Sequence, residues 1–87
     1  MIVYHVIGIT DFMDSVQRGH LTKPVRAWID INEAQRFSIQ TGRAMILRLK
    51  FPKDTPKLEG HKEKAVILDN TYPISKIFNG WVYPSSE

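Results

Sequence analysis

Apolar residues fill both faces of the opening segment Ile2-Val3-Tyr4-His5-Val6-Ile7, and its β-branched and aromatic content predicts a central strand covered on both sides. Phe12, Met13 and Val16 then recur at helical spacing. They predict a short helix capped by Thr10 or Asp11, with that apolar side inward and Gly19 as its left-handed stop. His20 to Pro24 reads as a turn. Val25-Arg26-Ala27-Trp28-Ile29 alternates, which places Val25, Ala27 and Ile29 on one face of a second strand and Arg26 and Trp28 on the other. Asp30 and Glu33 form a D-x-x-E capping box. They open a second helix with Ala34, Phe37 and Thr41 inward and Gly42 just past its end. Met45, Leu47, Leu49 and Phe51 alternate with Ile46, Arg48 and Lys50, the pattern of a half-buried strand that ends at Pro52.

From Pro52 to Lys64 the prolines, Gly60 and charges of both signs predict an exposed loop or irregular hairpin. Ala65-Val66-Ile67-Leu68 is a short apolar strand, Asp69 to Pro73 a turn, and Ile74 to Ile77 a single helical turn. Trp81-Val82-Tyr83 reads as a final strand beside an Asn79-Gly80 turn signal. The order β-α-β-α-β-loop-β-β predicts an α+β fold, a small mixed or antiparallel sheet with two helices at its sides. Residues 1–83 are expected to form one compact domain, and 84–87 a short tail.

Composition narrows the chemistry. With 87 residues, surface scaling allows about two-thirds of the unfolded surface to be buried, which is enough for one core. No run approaches the roughly 18 apolar residues of a membrane span, and the opening segment lacks the layout of a signal peptide, so a cytoplasmic location away from membranes is expected. Zero cysteines exclude disulfides, thiolate metal sites and a cysteine nucleophile. His5, His20 and His61 do not have metal-ligand spacing, so no metal is expected. Ser15 and Ser38 fall on helices outside any G-x-S-x-G context. The five glycines are scattered singly and form no phosphate-cradling loop. The balance of 12 basic to 9 acidic side chains, a net charge of +3, argues against an acidic mimic of nucleic acid and permits an anionic partner.

Several short segments fall in a familiar order. They are the Tyr4-His5 pair on the first strand, Val25 to Asp30, the helix Asn32-Glu33-Ala34-Gln35-Arg36-Phe37, the run Gly42-Arg43-Ala44-Met45-Ile46-Leu47-Arg48-Leu49, and the late Tyr72-Pro73-Ile74-Ser75-Lys76-Ile77. Together, over about residues 2 to 83, they resemble the ADP-ribosyltransferase-like superfamily, including its small toxin-like and RNA 2′-phosphotransferase-related members. The resemblance implies a split sheet that cradles NAD. It places His5 where a first-strand residue holds the ribose, and Trp28 where an aromatic stacks near the nicotinamide. The late glutamate that orients the ribose in the transferases has no counterpart, since no acidic residue occurs from Thr71 to Ser86. The chain is also shorter than active members, which points to a reduced or degenerate relative.

The expected function is therefore a small binding or inhibitory interaction module on that scaffold, of the kind phages and mobile elements use to block a host complex. No cofactor is expected in this reading, and the partner is a protein or ribonucleoprotein, with nucleic-acid contact permitted by the basic surface. The candidate partner surface is the turn carrying Arg18, His20, Lys23 and Arg26, together with Lys53, Lys57 and Lys62 on the long loop. The alternative is a minimal NAD-dependent ADP-ribosyltransferase, with His5 on the ribose, Trp28 on the nicotinamide and an acid such as Asp69. A third reading is an antitoxin or regulatory subunit that pairs through the backbone of an exposed edge at Met45 or Ile46.

Overall fold

The computed structural model describes residues 1–58, 64–77 and, as backbone, 79–82. Ten elements follow one another: β1 (Ile2–Ile7), α1 (Ile9–Arg18), β2 (His20–Leu21), β3 (Val25–Trp28), α2 (Ile31–Thr41), β4 (Met45–Lys50), β5 (Lys57–Leu58), β6 (Ala65–Leu68), β7 (Tyr72–Pro73) and β8 (Asn79–Val82). A 3-10 turn spans Ile74–Lys76, where a single helical turn is expected. Six strands form one sheet in the order β5-β6-β3-β1-β4-β8, every recorded pair antiparallel, and β2 pairs with β7 in a separate ribbon. The protein is thus a small α+β molecule. No helix among the described residues is long and apolar enough to cross a membrane.

The central strand β1 lies between β3 and β4, as its two-sided apolar content predicts. On one face Val3 and Ile7 join Val25, Ala27, Leu47, Leu49, Phe51 and Leu68 in the main core, closed by Leu21 and Tyr72 from the β2-β7 ribbon. On the other face Val6 and Ile46 pack against Ala34 of α2, with Tyr4, Trp28 and Phe37 around them. Ile46 is as fully buried as Leu47, so β4 is covered on both faces rather than half-buried. Each helix ends on a left-handed glycine, Gly19 at φ 88° and Gly42 at φ 71°, a backbone region that costs side-chain-bearing residues more.

Several sequence expectations are corrected. The first helix is capped by Gly8, with no side-chain cap from Thr10 or Asp11. Its Met13 and Val16 point to solvent at 59% and 48% exposure, while Phe12 packs on the core and Ser15 is buried. Ser15 tolerates burial because its hydroxyl donates to the Asp11 carbonyl and accepts from Arg18. Ile29 lies beyond the end of β3 and is exposed. At α2, Asp30 accepts from the Asn32 N–H at 2.8 Å as a cap should, but the Glu33 carboxylate turns to Arg36 instead of closing the box. Thr41 is exposed, and its hydroxyl donates to the Phe37 carbonyl.

The segments expected as turns at His20–Pro24 and Asp69–Pro73 instead supply β2 and β7, whereas the segment expected as an exposed loop or irregular hairpin carries the exposed β5, paired antiparallel with β6. Asn79 and Gly80 pair with Arg48 and Leu47 rather than forming a turn. That pairing also overturns the exposed edge at Met45 and Ile46, because β4 has a partner on each side and leaves no free backbone there. Tyr83 and the tail at 84–87 lie outside the described residues.

Candidate functional site

The sheet has one weak seam. β1 pairs with β4 along its whole length and β3 pairs with β6 at all four residues, yet β1 and β3 meet in register only at Tyr4 and Trp28. Beyond that pair no register partner is shared, and the side chain of His5 links the two strands, with Nδ1 2.6 Å from the Arg26 carbonyl oxygen. A carbonyl only accepts, so Nδ1 carries the proton. Burial lowers the His5 pKa; the Arg26 carbonyl opposes this and the nearby Arg43 charge adds to it. The imidazole is accordingly neutral at pH 7, and Nε2 keeps its lone pair as an acceptor.

Two clefts flank this short pairing. The larger, about 400 Å³, lies on the α2 side and is lined by His5, Arg26, Trp28, Phe37 and Arg43, with apolar walls that include Ile67. The Trp28 and Phe37 rings stand 5.7 Å apart at 51°, an edge-tilted pair. The Arg43 guanidinium sits 5.5 Å from the Phe37 centroid, within cation-π range. The smaller cleft, about 270 Å³, is bordered by Asp11, Asp14, Ser15 and Arg18 of α1, and it shares His5, Val6, Pro24 and Arg43 with the larger one. The peptide bond before Pro24 is cis. His5 and Arg43 thus stand at the junction of the two clefts.

The structure brings His5 and Trp28 together on one cleft and adds Arg26 to them. It disperses the rest of the basic set. Arg18 borders the smaller cleft and donates to the Ser15 hydroxyl. His20 is half-buried in the β2-β7 ribbon, and Lys23, Lys53 and Lys57 are exposed. Lys62 lies outside the described residues. Asp69, the acid of the enzyme alternative, lines neither cleft, and its N–H donates to the Pro56 carbonyl. No carboxylate lines the larger cleft among the described residues, and none of their His, Asp and Glu side chains cluster in threes as a metal ion requires.

Arg43 and Phe37 escaped the sequence reading as site residues. Phe37 reads simply as a core position of α2, while Arg43 enters the resemblance only as part of the run from Gly42 to Leu49, with no role of its own. Ser15 and Ser38 are structural, with Ser38 donating its hydroxyl to the Arg43 carbonyl. Comparison with protein-family models, curated proteins and solved structures yields no match.

Proposed function

We propose that the protein is a small binding module on a reduced ADP-ribosyltransferase-like scaffold, and that it holds a nucleotide ligand of the NAD class in the larger cleft without turning it over. The observation that carries this reading is the convergence of His5 and Trp28 on one cleft, beside the short β1–β3 pairing. An aromatic pair offers a flat ring a stacking surface, Nε2 of neutral His5 accepts from a ribose hydroxyl, and a cleft of about 400 Å³ matches the size of small-ligand sites. Binding is favoured over turnover because glycosidic cleavage builds positive charge on the sugar, and the described residues of this cleft offer arginines there instead of a carboxylate.

The test is an NMR titration of labelled protein with NAD, run beside an assay for released nicotinamide. Shifts confined to the amides around His5 and the Trp28 indole, with no release, support the module; release converts it to the enzyme alternative. An unperturbed spectrum removes the nucleotide reading.

A macromolecular partner is the second reading, favoured by Lys23, Lys53 and Lys57, which are exposed and in no ion pair among the described residues. Charge reversal at Lys53 and Lys57 that leaves capture of such a partner unchanged would eliminate the lysine surface.

A further inference from the structure

We infer that Arg26 and Arg43 form an anion seat at the larger cleft, and that it takes the phosphate of a nucleotide whose base lies against Trp28. The inference rests on the proposed reading of the cleft and adds which residues recognise the charge. Both arginines are exposed, both line the cleft, and neither is in an ion pair among the described residues. Three other cations are already engaged: Arg36 with Glu33, Lys64 with Asp30, and Arg18 with the Ser15 hydroxyl. The remaining walls are largely apolar, including Val6, Pro24 and Ile67, which weakens the screening of an anion held in the cleft.

Arg43 is held ready for that task. Gly42 turns the chain in the left-handed region, the Ser38 hydroxyl donates to the Arg43 carbonyl, and the Phe37 ring lies under the guanidinium. A guanidinium fixed this way loses less freedom on gripping an oxyanion than a free side chain does. His5 is neutral, so the positive charge facing the ligand comes from the two arginines. Asp11 and Asp14 border only the smaller cleft, where they repel an anion and direct it to the Arg26 side.

The experiment is calorimetric titration at low salt with nicotinamide mononucleotide and with nicotinamide riboside, which differ by one phosphate. Wild-type protein is expected to bind the mononucleotide at least tenfold more tightly. Arg43→Ala should remove most of that preference while leaving riboside affinity within twofold, and Arg43→Lys should restore only part of it, because a lysine keeps the charge but loses the fork. Arg43 is exposed, and an unchanged amide spectrum away from the cleft verifies that the variants fold. Equal binding of both ligands by the wild type overturns the seat alone, as does an Arg43→Ala variant that loses both alike. Binding of neither overturns the seat and the nucleotide reading together. A 5′-phosphorylated trinucleotide forms the last arm: tighter binding than the mononucleotide assigns the seat to the end of a nucleic acid strand, and weaker binding assigns it to a free nucleotide.

Discussion

The imidazole of His5 stands in for a missing rung between β1 and β3, its Nδ1–H donating to the Arg26 carbonyl across 2.6 Å. Burial keeps that ring neutral in the folded protein, and an unfolded chain takes up a proton near pH 6.5. Above that pH both states are neutral and nothing is lost. As pH falls below it, the unfolded state binds the extra proton first, so stability declines by up to about 1.4 kcal/mol per pH unit and levels off once the pH passes the lowered folded value. Urea melts of wild type and His5→Gln across this range should diverge. The difference isolates the contribution of this side chain, and parallel curves would show that His5 carries no such penalty.

The same residue shows how far the sequence reaches. Two-sided apolar content identifies β1 as a central strand, and the resemblance pairs His5 with Trp28, which the fold then places on one cleft. The shortness of the β1–β3 pairing is not legible, because it depends on how far two strands remain in register, which no local pattern encodes. Two-residue strands such as β2 and β7 carry no period either, and their pairing joins segments about fifty residues apart. At α1 the apolar stripe is real but the buried direction is rotated away from it. Phe12 and Ser15 meet the core, and Ile9, Met13 and Val16 remain outside.

That rotation makes a direct prediction. Met13→Gln should change stability by no more than about 0.5 kcal/mol, since the side chain is 59% exposed. Phe12→Ala, which removes a ring packed on the main core, should cost about 2–3 kcal/mol. Chemical denaturation of the pair decides it, and a reversed order would place the wrong face of α1 inward.

Trp28 and Phe37 should be energetically coupled. Their tilted contact at 5.7 Å is expected to give an interaction energy of about 0.5–1.5 kcal/mol in a double-mutant cycle to leucine. Additive losses would mean that the two rings merely share a cleft.

Gly42 is expected to resist substitution for conformational rather than spatial reasons. A Cβ at this position meets nothing within 4 Å, but φ is +71°. Gly42→Ala should therefore cost about 1 kcal/mol, and Gly42→Asn should cost less because asparagine visits this region more readily. Since the turn delivers Arg43 to the clefts, the alanine variant should also broaden the Arg43 side-chain resonances.

Tyr72 offers the sharpest test of the β2-β7 ribbon. Its hydroxyl accepts from the Lys50 N–H at 3.2 Å and donates to the Lys76 carbonyl at 3.0 Å, linking β4 to the 3-10 turn, while its ring packs 4.9 Å from Phe51. The residue is only 4% exposed. Tyr72→Phe keeps the ring and strands one donor and one acceptor, so the expected loss is about 1–3 kcal/mol. Amide exchange locates the damage: Lys50 should lose protection first, because its N–H is the group left without a partner. Unchanged exchange at Lys50 would show that the Tyr72 hydroxyl adds nothing to the backbone pairing and apolar contacts that hold the ribbon.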